Sequence, residues 1–238
     1  MSGRYPELVA EPSRVPVDGM PAKTGQGGRA RRRRTDGELT WRRVLDAATT
    51  SVLEKGYYQT SSNEIARRAG VTWGALQHQF GTREALLLAV LNDRWARLEE
   101  LVATAELSGT TLEERLHALL DVLALHYAQP EHLVLLQILL DLSRNPNTSE
   151  ETRAAIALHG AELTQAWQPL FVQALGDAAA EPDLVLYAFS TLRGYLSAKL
   201  IASSIADTAD DTAQRELLVR GVAAALRTEA EQRGLALR

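Results

Sequence analysis

The chain of 238 residues has no cysteine, few aromatic residues and no long apolar run. Without cysteine, a disulfide scaffold, a thiolate metal site and a cysteine nucleophile are all excluded. The richest apolar segment, Leu133 to Leu140, is interrupted by Gln137 and falls short of the ~18 residues that span a bilayer. The N-terminus lacks the apolar core of a signal peptide. We therefore expect a cytoplasmic protein without membrane contact.

Motifs of enzymes and metal sites are also missing. The sequence has no G-x-S-x-G, no P-loop and no H-E-x-x-H, and its five histidines do not follow a ligand spacing. The glycines at Gly25, Gly27 and Gly28 do not follow a strand, as a nucleotide-binding loop would require. We therefore expect no catalytic residue, no metal and no cofactor, and we predict that the chain is not an enzyme.

The pattern that is present is helical. Runs that alternate like β-strands do not occur, and apolar residues recur at every third or fourth position from Leu39 onwards. Glycines at 56, 70 and 81 indicate helix ends, and Ser61, Thr72 and Thr82 indicate helix starts. The sequence predicts an all-α fold of about nine helices. After the first, which ends at Gly56, they run over about 61–69, 72–80, 84–105, 111–128, 131–142, 149–175, 182–205 and 210–233, with a kink at Pro169.

Charge is divided unevenly along the chain. Residues 1–83 hold 14 basic and 8 acidic residues, whereas residues 84–238 hold 12 basic and 22 acidic residues, so the net charge of −4 averages a basic part and an acidic part. Residues 1–37 are rich in proline and glycine and are expected to form a disordered arm. The arm ends in Arg31, Arg32, Arg33 and Arg34, which are predicted to contact DNA phosphates or a minor groove. A solvated charge run or a localisation signal is the alternative.

The most informative pattern lies between Val44 and Val90. Two short helices joined by Gly70-Val71-Thr72 fit a helix-turn-helix, whose second helix lies in the major groove of DNA. The surrounding residues resemble the TetR family of transcriptional regulators, over about fifty residues. The matching segments are Val44–Ala48, Glu54–Tyr57, Glu64–Thr72, Gly74–Leu76 and Phe80–Leu86. This resemblance implies a three-helix DNA-binding domain at 38–86 and a helical effector-binding and dimerisation domain at 87–238.

The position of each residue in the helix-turn-helix gives its expected role. Thr60 and Thr72 are predicted to bring hydroxyl and backbone N–H groups to phosphate, although both could act as helix caps alone. Trp73 is predicted to pack on thymine methyl groups or sugars, the alternative being the first helix. Gly74 permits close approach to DNA, and His78 and Arg83 are predicted phosphate contacts.

The match to the family has four departures. Gln77 stands where the family usually has a tyrosine that touches phosphate, and it could donate to phosphate or read an adenine edge. Gln79 replaces a common histidine, Arg83 replaces a lysine, and Val52 stands where phenylalanine is frequent. DNA binding remains the prediction, with an altered set of contacts.

The resemblance also implies a homodimer that binds a palindromic operator. The last two helices are expected to form a four-helix bundle with their partners, although an intramolecular core would explain part of the pattern. The predicted interface residues are Leu184, Tyr187, Thr191, Tyr195, Ala198, Leu218 and Ala225.

The middle helices are expected, again by resemblance, to enclose a pocket for a small, hydrophobic effector. The candidate lining residues are Trp95, Leu98, His117, Tyr127, Gln137, Trp167 and Phe171, each of which could instead be ordinary core or surface. The expected function is a repressor that the effector releases from its operator, with the fourth helix as the lever. The competing class is a helical interaction protein with a basic tail and no sequence-specific DNA binding.

Overall fold

The structure, a computed structural model, describes residues 26–205 and 211–237. Within these ranges the chain forms nine α-helices, one short 3-10 helix at Gly176–Ala180 and no strand. The helices are α1 (Gln26–Lys55), α2 (Ser62–Ala69), α3 (Trp73–Phe80), α4 (Arg83–Thr104), α5 (Leu112–Tyr127), α6 (Pro130–Arg144), α7 (Glu150–Leu175), α8 (Pro182–Ser203) and α9 (Thr212–Arg233). The all-α fold class is confirmed, and α2 to α9 begin and end within two residues of the predicted bounds.

Helix α1 begins earlier than the sequence pattern indicates. Its backbone is helical from Gln26, whereas residues 1–37 were expected to form a disordered arm. The difference has a physical basis, because arginine and alanine favour helix and α1 continues from the arginine run without a proline. This corrects the boundary of the arm. Residues 1–25 and the side chains of Arg31, Arg32, Arg33 and Arg34 lie outside the described part of the structure.

The short helices are fixed by their caps. The hydroxyl of Ser61 accepts a hydrogen bond from the Glu64 amide at 3.2 Å, and Thr72 and Thr82 cap α3 and α4 in the same way. Gly70 ends α2 with φ of 67°, a left-handed conformation that favours glycine. These local signals set the length of the helix-turn-helix.

Two hydrophobic cores fill the part of the chain from Thr40 onwards. The first core contains residues of the four helices α1, α2, α3 and α4. It also contains four residues of α6: Val134, Leu135, Ile138 and Leu142. The second core joins the C-terminal half of α4 to α5, α7, α8 and α9. Helix α4 therefore contributes to both cores, with Leu86 to Leu91 in the first and Leu98 and Val102 in the second.

The described helices do not include one that is both long enough and apolar enough to cross a lipid bilayer. The described residues also hold no group of three or more histidine, aspartate or glutamate side chains placed to bind a metal ion.

Candidate nucleic-acid interface

Helix α3 is attached to the domain along one side. Leu76 and Phe80 are its buried residues, one helical turn apart, and Phe80 stacks on Trp41 of α1 with ring centroids 4.6 Å apart. Residues 72–75 and 77–79 are exposed. The helix therefore presents a complete face to solvent next to the turn that joins it to α2.

The exposed face of α3 contains the predicted DNA contacts Thr72, Trp73, Gly74, Gln77 and His78. The Trp73 side chain is 54% exposed and stacks on no aromatic ring among the described residues. A Cβ atom built on Gly74 would meet no atom of a neighbouring element within 4 Å. The packing of this chain therefore does not explain either residue, whereas contact with a partner would.

A network of ion pairs fixes α2 to the end of α1. The Glu64 carboxylate pairs with Arg67 at 2.9 Å and with Lys55 at 2.8 Å, and Arg68 pairs with Glu54. The hydrogen bonds from Arg67 and Lys55 lower the pKa of Glu64 to about 2. The orientation of α2 is thus set by side chains that are already bonded within the domain.

Arg83 and Tyr57 connect this domain to α6. The Arg83 guanidinium donates to the backbone oxygens of Tyr57, at 3.0 Å, and of Thr60, and it lies over the Tyr57 ring at 4.9 Å. The Tyr57 hydroxyl donates to Asp141 of α6, and burial together with this hydrogen bond raises the pKa of Tyr57 to about 12. Arg83 is therefore bonded to the loop between α1 and α2, and its contact with phosphate stays a prediction.

Thr60 is a correction to the predicted DNA contacts. Its side chain is 1% exposed, and its hydroxyl donates to the Gly56 backbone oxygen at 3.0 Å. A phosphate cannot reach a hydroxyl buried in this way. The exposed residue at this helix start is Ser61, which the sequence pattern indicates as the start of the helix and whose hydroxyl caps α2. The Gln77 amide donates to the Gly81 backbone oxygen, and its contact with DNA stays a prediction.

The predicted effector residues fall into two groups. Tyr127, Trp167 and Phe171 lie together in the second core around Phe189, with ring centroids about 6 Å from that residue. Leu98 is buried in the same core, and Trp95 lies between helices, with its ring 4.7 Å from that of His159.

Two of the predicted effector residues lie elsewhere. His117 bonds to Glu216 of α9 at 3.0 Å on an exposed surface, because its position on α5 faces α9. Gln137 lies on the side of α6 that faces the loop after α1, where it lines a separate cavity of about 650 Å³ with Tyr57 and Tyr58. Both side chains therefore lie apart from the other candidate residues, and their contact with an effector stays a prediction. Sequence periodicity alone did not show which neighbour each helix face meets.

A smaller cavity lies between α4, α5 and α6. Its volume is about 310 Å³, and it is lined by Arg94, Arg97, Leu98, Leu101, Leu125, His126, Gln129, Glu131, His132 and Leu135. Burial and the charge of neighbouring groups lower the pKa of His126 and of His132 to about 4, so both are neutral at pH 7. Neither histidine was among the predicted site residues, since nothing in their spacing indicates a site.

Residues 44–90 match the family model described as bacterial regulatory proteins of the tetR family. Residues 44–90 are therefore similar to the DNA-binding domain of the TetR family. The matched residues run from the first core-facing residues of α1, through the exposed α3, to the part of α4 that completes the first core.

Curated relatives match over a limited part of their length. The chain is 38% identical over 60 residues to the A-factor receptor protein of Streptomyces griseus, covering 25% of this chain and 22% of that protein. It is 31% identical over 102 residues to the transcriptional repressor KstR2 of Rhodococcus jostii, covering 38% and 50%. It is 29% identical over 123 residues to the repressor AcnR of Corynebacterium efficiens, covering 52% and 59%. The matched region thus spans less than two thirds of each of these relatives.

Solved structures show that the TetR fold extends beyond the DNA-binding domain. A TetR-family regulator from Mesorhizobium loti superposes with a TM-score of 0.57 at 18% identity, covering 79% of this chain and 95% of that one. A transcriptional regulator from Rhodococcus sp. RHA1 superposes with a TM-score of 0.58 at 17% identity, covering 81% and 96%. At these identities the likeness establishes the shared fold.

The last two helices of the chain carry an exposed apolar surface. Leu186 of α8 is 63% exposed and Leu217 of α9 is 64% exposed, and Tyr187 and Ala198 are also exposed. Leu184 is a correction, because it is 3% exposed and belongs to the second core. The other predicted interface residues are half-buried: Thr191, Tyr195, Leu218 and Ala225.

Helices α8 and α9 each contain a glycine on this surface. Gly194 and Gly221 are both exposed, and a Cβ atom on either would meet no atom of a neighbouring element within 4 Å. Glycine inside a helix costs roughly 0.5–1 kcal/mol relative to alanine. No contact within the described part of the chain requires a glycine at either position.

Proposed function

We propose that this chain is a sequence-specific DNA-binding transcriptional regulator that represses transcription until a small effector releases it. The exposed face of α3 carries the proposal, because Trp73 and Gly74 are explained by a partner and not by the fold. The TetR-family domain at 44–90 supports DNA as that partner. A regulator that binds an operator would act in the cytoplasm, and we propose no enzymatic role for it.

The docking of α3 in a major groove defines the contacts. Trp73 would pack on thymine methyl groups or sugars, Gly74 would let the backbone approach, and Thr72, Gln77 and His78 would reach phosphates or base edges. Arg83 would act mainly by holding the loop after α1, with phosphate as a further partner. Arg31 to Arg34 would add phosphate contacts that do not depend on sequence, and each lost contact would change the log–log salt slope by about 0.9.

The surface of α8 and α9 supports a homodimer. Exposed leucines flank Gly194 and Gly221, which would let the helices of two copies approach closely. In a symmetric dimer each copy would place its α3 on one half-site, so the operator would be palindromic.

Release by an effector would require two arrangements that differ in their affinity for the effector. The cavity between α4, α5 and α6 supports such coupling, because α4 and α6 both line it and both contribute to the first core. The hydrogen bond from Tyr57 to Asp141 adds a direct connection between α6 and the loop before α2. Helices α4 and α6 would therefore both transmit effector binding to the helix-turn-helix.

Selection of bound duplexes from a random pool tests the proposal. A palindromic motif should be enriched, and Trp73→Ala should weaken binding to it by roughly 5- to 150-fold, the range for one good base contact. Tyr58→Ala is a matched control, since Tyr58 is an exposed aromatic residue away from α3. Failure to enrich any motif would instead favour a helical interaction protein with a basic tail.

A further inference from the structure

The cavity between α4, α5 and α6 combines apolar walls with polar groups at its margin. Leu98 and Leu135 are buried on its walls, Leu101 is half-buried, and Leu125 is exposed. Two guanidinium groups, from Arg94 and Arg97, and one carboxylate, from Glu131, complete the charged part of the lining. The lining therefore carries a net positive charge beside an apolar surface, and its volume of about 310 Å³ lies at the lower end of the range for ligand pockets.

Two polar groups of this lining have no partner in the described part of the chain. The Arg94 guanidinium forms no ion pair or hydrogen bond with a described residue, whereas Arg97 pairs with Asp93 at 2.9 Å and lies 3.6 Å from Asp46. His132 is 7% exposed, and its Nδ1 has no hydrogen-bond partner among the described residues. A buried polar atom without a partner costs about 1–3 kcal/mol, a cost that a ligand would remove.

We propose that this cavity binds a small monocarboxylic acid with a short apolar chain. The carboxylate would pair with Arg94 and accept a hydrogen bond from His132, and the chain would lie along Leu98, Leu101 and Leu135. Neutral His126 and His132 add no cation to Arg94, and a neutral imidazole still offers one N–H donor. As the effector of the proposed regulator, this acid refines the expectation of a purely hydrophobic molecule.

Other occupants fit the lining less well. An amine would meet two guanidinium groups and a single carboxylate, and its like charge would oppose binding at Arg94. A purely apolar molecule would leave both Arg94 and His132 without a partner. The larger cavity beside α1 has no buried side-chain polar atom without a partner among the described residues, and its central polar pair, Tyr57 and Asp141, is already hydrogen-bonded.

Calorimetric titration of the full chain with octanoate and with octanamide, a neutral molecule of similar size, tests the proposal. Octanoate should bind at least about tenfold more tightly, as expected for a hydrogen bond to a charged group. In Arg94→Gln the preference for octanoate should disappear while octanamide binding is unchanged. Arg97→Gln is the matched control, and it should keep the preference because Arg97 is already paired with Asp93.

Three results would overturn the proposal: equal binding of the two probes, binding of neither, or loss of the preference in Arg97→Gln alone. The thermal unfolding midpoint of each unliganded variant separates lost folding from lost binding. Selection of an operator from random duplexes is an independent measurement. An enriched operator without octanoate binding would refute the inference alone, whereas octanoate binding without an operator would refute the proposed regulator alone.

Discussion

The helix-turn-helix and the cavity between α4, α5 and α6 differ in whether their polar side chains have partners within the chain. In the first region, Glu64 is bonded to Lys55 and Arg67, and Arg83 is bonded to two backbone oxygens. In the second, Arg94 and the Nδ1 atom of His132 have no partner among the described residues. Polar groups bonded within the chain fix a shape in advance, and unbonded ones are available to a ligand.

This difference implies that DNA binding by the helix-turn-helix and ligand binding in the cavity would have different energetic consequences. A rigid helix-turn-helix loses little freedom when it docks, so its contacts with DNA contribute directly to affinity. An open cavity is less stable when empty and gains more when it is filled, which is the condition for an effector to shift an equilibrium.

The two sides of α3 offer the sharpest test of the first region. Leu76→Ala removes a buried side chain and should lower the free energy of unfolding by about 2–5 kcal/mol. Trp73→Ala on the exposed side should change it by less than about 0.5 kcal/mol while operator affinity falls. Denaturant unfolding of both variants measures the contrast. Equal destabilisation would show that Trp73 is part of the core.

The next largest effect concerns the surface of α8 and α9. Gly221→Leu should prevent close approach of two copies at a cost of about 1–3 kcal/mol, observed as a monomer at micromolar concentration in sedimentation. Gly160→Leu is the matched control, because Gly160 is an exposed glycine of α7, outside this surface. A Gly221→Leu dimer as stable as the wild type would exclude this surface as the interface.

The connection between the two regions can be tested at Tyr57. Tyr57→Phe removes the hydroxyl that donates to Asp141 and should lower the free energy of unfolding by about 1 kcal/mol. If the hydrogen bond also transmits the effector signal, the variant should show a smaller change in operator affinity on effector binding. Tyr58→Phe, at an exposed neighbouring position, should leave both measurements unchanged.

A further expected effect is the pH dependence of stability that the buried histidines produce. Between pH 6.5 and 5 the unfolded histidines, with an ordinary pKa of 6.5, bind protons that folded His126 and His132, with a pKa of about 4, do not bind. Stability should therefore be complete above pH 6.5 and should fall as the pH is lowered. His132→Asn should reduce this slope, and Gln129→Asn should not. A wild-type slope in His132→Asn would contradict this explanation.

The sequence predicted the helix-turn-helix more accurately than the bundle, for a physical reason. Local caps such as Thr72 and local stops such as Gly70 act within one helical turn, so their residues alone determine where the helices end. Burial of a side chain depends on distant helices. Leu184 and Leu186 lie two residues apart on an apolar helix, yet one fills the core and the other is exposed.

The same limit explains the misplaced site residues. Thr60 stands next to the correct cap, Ser61, and the sequence did not reveal that the loop turns its hydroxyl inward. His126 and His132 lie on different helices, with ring centroids 5.3 Å apart, and the short turn at Ala128 and Gln129 between α5 and α6 brings them to one cavity.

The division of α6 between the cavity and the first core has a practical consequence for making biosensors from this protein. His132, near its start, lines the cavity, and Leu135 belongs to both the cavity lining and the first core. Ile138 and Leu142, further along, belong to that core and do not line the cavity. A library that seeks new ligand responses should therefore vary the first turn and leave the last two unchanged. In the proposed regulator, variation at the start of α6 could then alter recognition of the effector while the core that supports the helix-turn-helix stays intact.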